Sequence, residues 1–150
     1  MAYFLRAFCT SGGATTLREV FQWSADQGVE LQAPTVDLDT PDWQEAEITY
    51  AAERQPFIAE RTTGEPLRAE VEEFIEFLED AEDSPEKDKV SDHMRRSQVV
   101  VAVQLLGDID EDGYTAATMF LQYFVDHSSG LIQADGEGFY EGGRLIIELE

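Results

Sequence analysis

The run from Val99 to Leu106, VVVAVQLL, constrains the fold of this chain more than any other segment. Seven of its eight residues are apolar, and they do not alternate with polar ones. A strand with one solvated face alternates apolar and polar residues, whereas a strand covered on both faces is apolar throughout. The run therefore predicts a central β-strand that is packed against other elements on both faces.

The clearest helix is predicted over Leu67 to Ala81, where apolar residues recur with the 3.6-residue period of a helix that buries one face. Ser84 followed by Pro85 is typical of a helix N-cap with proline in the first turn. This pair predicts a second helix, which would carry Val90 and Met94 towards Ser97.

Both predicted helices lie in an acidic segment. Twelve acidic and three basic residues lie from Glu65 to Asp92, so one face is expected to pack while the other forms an anionic surface.

The whole chain has 32 acidic and 10 basic residues, a net charge of −22. Such a field repels nucleic acid and anionic membranes and favours cationic partners. The alternative is an acidic composition that only keeps the protein soluble or adapts it to a salty cytoplasm. The predicted partner-binding residues are Glu70, Glu72, Glu73, Glu76, Glu79, Asp80, Glu82 and Asp83.

The two ends of the chain resemble each other in the order of their predicted elements. Each end runs through a strand, a loop, a helix, a glycine, a second strand and a hairpin. Gly28 to Ala33 aligns with Gly130 to Ala134 in this comparison, and Val29 to Ala33 is therefore predicted to be a strand. Glu45 to Arg61 is predicted to be a hairpin or one bent strand, with Pro56 at an edge or turn. A hairpin turn is predicted at Glu141-Gly142-Gly143.

These patterns predict one α+β domain over residues 1–150. Pseudo-repeats 1–63 and 98–150 would form two β-α-β-β units in tandem, joined by the acidic helical segment 64–97. We expect a mixed or antiparallel sheet with helices packed on one face. The order of elements resembles that of ferredoxin-like architectures.

The stretch GDIDEDGYTA contains Asp108-x-Asp110-x-Asp112-Gly113, which is the first half of a calcium-binding loop. An EF-hand requires a bidentate Glu where this chain has Met119, and the predicted preceding element is a strand, so an EF-hand is excluded. A weaker hypothesis is a calcium or other divalent-metal site at the three aspartates. The alternative is that Asp112 caps the next helix while Asp108 and Asp110 complement its positive end.

The helix predicted from Tyr114 to His127 is apolar almost all round, which indicates burial on more than one side. Either the connecting helical segment covers the additional apolar surface, or a second subunit or partner does. A homodimer is expected in the latter case, because two-fold dimers are the commonest assemblies. The candidate interface residues are Met119, Phe120 and Tyr123.

No catalytic motif is present: the sequence lacks a nucleophile elbow, HExxH, CxxC and a Walker loop. Cys9 is the only cysteine, which excludes an internal disulfide and favours a reduced, cytoplasmic setting. No apolar run approaches the roughly 20 residues that span a membrane. The glycine-rich segment from Ala134 to Gly143 is interpreted as a bulged strand that enters a hairpin, with a ligand-contacting loop as the alternative.

The sequence thus favours a small cytoplasmic binding or regulatory protein that engages a basic protein partner. Immunity proteins and inhibitors of nucleic-acid-binding proteins belong to this class. The mechanism would be electrostatic steering followed by apolar anchoring. The alternatives are a metal-binding module that uses the acidic loop and an enzyme with a small-molecule pocket. No cofactor other than the weak calcium hypothesis, and no catalytic residue, is predicted.

Overall fold

The computed structural model describes residues 3–11 and 15–149, which form seven strands and four helices. None of these helices combines the length and apolar character that crossing a membrane demands. The elements are β1 (Tyr3–Cys9), α1 (Leu17–Asp26), β2 (Glu45–Ile48), β3 (Phe57–Thr62), α2 (Gly64–Glu79), α3 (Pro85–Arg95), β4 (Val99–Leu105), α4 (Glu111–His127), β5 (Gly130–Ala134), β6 (Gly138–Glu141) and β7 (Arg144–Glu148).

All seven strands belong to one antiparallel sheet with the order β2-β3-β4-β1-β5-β6-β7. The apolar run at residues 99–105 is β4, which pairs with β3 on one side and β1 on the other. Six of its seven residues are buried. The prediction of a central strand covered on both faces is therefore confirmed.

The helices pack on both faces of the sheet, so the prediction of helices on one face was wrong. Val99, Val101 and Val103 point into one core cluster, which α1 and α4 cover. Val100 points the opposite way, into a second cluster with Phe8 that α2 and α3 cover. The cause is the alternation of side chains along a strand, which gives an all-apolar strand two faces that must both leave water.

The α+β class is confirmed, whereas the ferredoxin-like tandem order is not. The strands β4 and β1 lie side by side in the middle of the sheet. On one side, β4 pairs with β3, which is the last strand of the first half of the chain. On the other side, β1 pairs with β5, which is the first strand after α4. The two halves therefore attach to the centre through different members of their strand sets.

The strand predicted from Val29 to Ala33 is reduced to one bridge, between Gln32 and Thr49. Val29 is held at the end of α1, where its N–H donates to the Ser24 carbonyl at 3.0 Å and its own carbonyl accepts from the Ser24 hydroxyl at 2.7 Å. Pro34 follows the segment and has no N–H to donate to a ladder. The segment between these two constraints is too short to pair as a strand.

Helix capping follows the sequence closely. Thr16 caps α1 by accepting a hydrogen bond from the Glu19 N–H at 3.3 Å, and Gly28 follows the helix with φ of +95°. Ser84 caps α3 by accepting from the Lys87 N–H at 3.0 Å, and Pro85 is the first residue of that helix. The starts of both helices are thus set by local hydrogen bonds, and the start at Ser84 is the one that the sequence predicted.

The hairpin β6–β7 contains the bulge expected in the glycine-rich segment, at Phe139 and Tyr140. Gly142 and Gly143 both have positive φ, as a tight two-residue turn requires. Gly138 has φ of +138°, and a Cβ there would lie 1.9 Å from the Ile147 carbonyl oxygen. The close approach of β6 to β7 therefore depends on glycine at this position.

We predict that Gly138→Ala destabilises the protein much more than Gly136→Ala. Both glycines have positive φ, but a Cβ on Gly136 would meet nothing within 4 Å. Alanine at 136 should cost about 1–2 kcal/mol through its left-handed backbone alone. At 138 the overlap with Ile147 should add about 1–3 kcal/mol. Urea unfolding measures both losses, and equal losses would contradict the predicted clash.

Candidate functional site

The exposed face of α2 is rich in acidic side chains. Helix α2 buries Leu67, Val71 and Leu78 against the sheet. At 3.6 residues per turn, its exposed acids fall within about one third of the helix circumference and extend about 22 Å along the axis. We call these residues the acidic stripe: Glu65, Glu72, Glu73, Glu76, Glu79 and Asp80.

The predicted partner-binding acids are exposed with one exception. Glu72, Glu73, Glu76, Glu79, Asp80, Glu82 and Asp83 are exposed, the last two in the loop after α2. Glu70 is instead half-buried and accepts a hydrogen bond from Arg6 Nε at 2.8 Å.

Arg6 of β1 links α2 to the sheet through its ion pair with Glu70. Its Nη1 atom also donates to Asp135 and Gln133, both at 2.7 Å, and only 16% of its side chain is exposed. Glu70 lies on the flank of α2 that faces Arg6, so its charge is neutralised inside the protein. Glu70 is thus held in an ion pair, and its role in binding a partner stays a prediction.

The acidic stripe borders one exposed aromatic side chain, Phe77, which is 51% exposed. Its ring lies edge-on to Phe74 with a centroid separation of 6.2 Å. Phe74 in turn contacts Phe8 and Phe139 in the core, at 5.5 and 6.0 Å. Phe77 is thus the outer end of a row of packed rings, which restricts its motion.

A shallow groove of about 550 Å³ lies between Phe77 and the end of the sheet. Phe74 and Phe77 supply its apolar surface. Its carboxylates are Glu73, Asp80, Asp135 and Glu148, and its one cation is Arg6, which is already paired. Phe77 is thus an exposed apolar side chain with carboxylates around it.

The two lysines next to the acidic stripe are engaged elsewhere. Lys87 Nζ lies 3.0 Å from Asp83 and donates a hydrogen bond at 3.0 Å to the carbonyl of Ala81, just after the C-terminal end of α2. Lys89 Nζ pairs with Glu141 of β6 at 2.5 Å. The last turn of α2 contains no basic residue, so the negative end of the helix dipole adds to the charge of the acidic stripe.

In the acidic loop before α4, Asp110 rather than Asp112 is the helix cap. Asp110 Oδ1 accepts from the Gly113 N–H at 2.9 Å and from the Tyr50 hydroxyl at 2.8 Å. Its other oxygen pairs with Arg54. Asp108 and Asp112 are exposed. The helix begins three residues earlier than predicted because the cap stands two residues earlier.

Within residues 3–11 and 15–149, no three His, Cys, Asp or Glu side chains are grouped as a metal ion would require. The carboxylate of Asp110 already has three partners. The calcium hypothesis at Asp108, Asp110 and Asp112 stays a prediction, without support from the arrangement of these side chains.

The apolar surface of α4 is covered mainly within the chain. Phe120 is fully buried and contacts Phe21 of α1 and Phe57 of β3, with ring centroids 6.5 and 5.9 Å apart. Tyr123 is buried against Trp23 of α1 at 5.8 Å. The covering element is α1, since the connecting helices lie on the opposite face of the sheet.

Phe120 and Tyr123 thus lie in the core, and Met119 is half-buried. Homodimerisation and a role of these residues in it stay predictions, which the burial of Phe120 and Tyr123 does not support.

A second groove, of about 770 Å³, lies between α4 and the outer strands β5 and β6. Tyr114, Thr118 and Gln122 line it from the helix, and Ile132 and Tyr140 line it from the sheet. A partial signal for this groove is present in the sequence, because Tyr140 lies in the glycine-rich segment whose alternative interpretation was a ligand-contacting loop. The groove itself was missed, since it depends on which strands α4 leaves uncovered.

Glu137 lies at this groove between two tyrosines. The Tyr140 hydroxyl donates to Glu137 Oε1 at 2.5 Å, and the Tyr3 hydroxyl donates to Oε2. These two hydrogen bonds lower the pKa of Glu137. The pKa of Tyr3 is raised by burial and then by Glu137, and the pKa of Tyr140 is raised mainly by its hydrogen bond to Glu137. At neutral pH the site therefore holds one carboxylate and two neutral phenols.

The cysteine and the two histidines of the chain have structural surroundings. Cys9 is completely buried, and burial raises the pKa of its thiol to about 12, so it is protonated at neutral pH. His93 Nε2 lies 2.7 Å from the Phe8 carbonyl oxygen. His127 stacks on Tyr123 with ring centroids 4.4 Å apart. These groups have structural partners, and none of them contacts another side chain as a nucleophile and base would.

We predict that Asp110→Ala lowers the free energy of unfolding by about 1 kcal/mol or more, since it removes the cap of α4. The variant also loses the contacts to Tyr50 and Arg54. Asp108→Ala, an exposed change in the same loop, should change stability by less than about 0.5 kcal/mol. Urea unfolding gives both values. An Asp112→Ala variant as unstable as Asp110→Ala would contradict the assignment of the cap.

Comparisons of the chain with protein-family models, with curated proteins and with solved structures find no match. Function is therefore inferred from the two surfaces themselves, the acidic stripe of α2 and the groove beside α4.

Proposed function

We propose that this protein is a binding module that engages a basic protein partner through the acidic stripe of α2. Its mode of action would be that of immunity proteins or of inhibitors of nucleic-acid-binding proteins. The observation that carries the proposal is Phe77, an aromatic side chain that is 51% exposed and bordered by carboxylates. The single buried cysteine favours a reduced compartment, and the proposed location is the cytoplasm.

The charge of the acidic stripe supports fast and selective association. The net charge of the chain is −22, and the neighbouring Lys87 and Lys89 are paired with other acids. A concentrated negative surface accelerates encounter with a positive one and disfavours acidic competitors. A partner whose surface presents clustered Lys and Arg fits this charge.

Phe77 supports the second step, in which an encounter complex becomes a stable one. Binding energy at interfaces is concentrated in a few aromatic or Arg side chains near the centre, surrounded by a polar rim. The contact of Phe77 with Phe74 restrains it before binding, so less conformational entropy is lost when a partner covers it. The partner would offer a small apolar pocket among its basic residues.

The proposal is tested with three immobilised forms of the protein in lysate at low salt. We expect a basic protein to be retained by the wild type, and to be lost with the double variant Glu73→Lys/Asp80→Lys. The matched control is Glu45→Lys/Glu47→Lys, which makes the same charge change at exposed positions of β2. Retention of the same protein by this control shows that the loss belongs to the acidic stripe.

The purified partner then separates steering from anchoring. The charge-reversal variant should slow association about tenfold or more and flatten its dependence on salt. Phe77→Ser should instead raise the dissociation rate by about thirtyfold, the effect expected of an interface anchor. Leu145→Ser, at an apolar position that is 40% exposed on the other face of the sheet, is the matched control. The proposal fails if Phe77→Ser and Leu145→Ser have the same effect, or if retention ignores ionic strength.

A further inference from the structure

The groove beside α4 exists because the helical layer on that side is narrower than the sheet. Helices α1 and α4 pack against each other, and α4 contacts β1, β4 and β5. On the same face, Ile132, Tyr140 and Leu145 continue the sheet beyond the helix, and Leu145 is 40% exposed. A strip of apolar and aromatic surface thus remains open next to the polar side of α4.

Glu137 is the uncompensated charge at this groove. The neighbouring acids Glu141 and Asp135 are paired with Lys89 and Arg6. In the described part of the chain, Glu137 has no ion pair, and its partners are the hydroxyls of Tyr3 and Tyr140. A ligand that brings a positive charge would complete the site, whereas an anion would be repelled.

Three tyrosines lie near this carboxylate, and two of them contact it through their hydroxyls. Tyr140 and Tyr114 line the groove, and Tyr114 is 45% exposed. Tyr114 lies close enough to Tyr3 and Tyr140 to contribute to the raised pKa of both. Electron-rich ring faces next to a carboxylate are the arrangement that recognises ammonium groups, through cation–π attraction and charge.

The hydrogen bonds of Glu137 indicate which kind of cation fits. Each of its oxygens already accepts from a tyrosine, and a primary ammonium would require further acceptors for its three donors. A quaternary ammonium donates no hydrogen bonds and needs only charge and ring faces. Calcium and magnesium fit poorly, because they require six or more oxygen ligands and Glu137 supplies one carboxylate.

We propose that this groove binds a small organic cation of the quaternary ammonium class. The charge lies against Glu137, and the N-alkyl groups contact Tyr114 and Tyr140. The remaining carbon chain of the ligand packs along Leu121, Val125 and Ile132, which also line the groove. The site lies on the opposite face of the sheet from the acidic stripe and goes beyond the proposed function, so either can fail without the other.

The test compares choline with its neutral isostere 3,3-dimethyl-1-butanol, in which carbon replaces the charged nitrogen. Proton NMR titration at about 0.15 M salt limits long-range attraction by the net charge of the protein. We expect saturable binding of choline with an upfield shift of its N-methyl signal, since ring currents act on groups above an aromatic face. The isostere should bind about tenfold more weakly or worse.

Four variants locate the site. Glu137→Gln should weaken choline binding about tenfold, whereas Glu47→Gln, the same change at the far edge of the sheet, should leave it unaltered. Tyr114→Leu should weaken binding, and Tyr114→Phe should retain it because the ring is kept. Tyr114 is exposed, so these variants do not empty the core.

Four results would overturn the proposal. One is the lack of saturation at about 10 mM choline, where a complex with millimolar Kd would be mostly formed. Equal binding of the isostere would make the groove a plain apolar site. Equal losses for Glu137→Gln and Glu47→Gln would assign the effect to net charge. If Tyr114→Phe and Tyr114→Leu weakened choline binding equally, the aromatic ring of Tyr114 would not contribute to binding.

Discussion

The burial of β4 on both faces is the constraint on which the rest of the structure depends. A strand with Val99, Val101 and Val103 on one face and Val100 on the other cannot be satisfied by one helical layer. The chain therefore places α1 and α4 on one side and α2 and α3 on the other. The layer of α1 and α4 packs over the larger core cluster, and the layer of α2 and α3 exposes acidic side chains to solvent. Both candidate surfaces arise from this division.

Three basic residues near the sheet and the helices α2 and α3 form ion pairs with neighbouring acids. Arg6 is held between Glu70 and Asp135, and Lys87 and Lys89 neutralise acids at the ends of elements. These three basic residues are thus used in structural ion pairs. On α2 the exposed acids outnumber the one exposed cation, Arg68, and Glu137 keeps its charge at the opposite groove.

Local signals in the sequence predicted local structure well. The cap at Ser84 and the buried strand at residues 99–105 follow from hydrogen-bonding capacity and hydrophobic pattern, which neighbouring residues determine. Features that depend on distant contacts were missed. The pairing of Glu70 with Arg6 spans 64 positions, and that of Tyr3 with Glu137 spans 134. The covering of Phe120 by α1, and the groove that α4 leaves open, likewise depend on how elements pack in three dimensions.

Strand β2 has features that oppose the addition of a strand from another chain. It lies at one edge of the sheet, is four residues long, and has a single bridge, at Thr49 just beyond its end, on its outer side. An exposed edge is a template for strand addition by another chain. Its outward residues Glu45 and Glu47 are both carboxylates, so two copies that met edge to edge would bring like charges together. The same excess of acid that suits a basic partner thus keeps a broad open sheet from growing into a fibril.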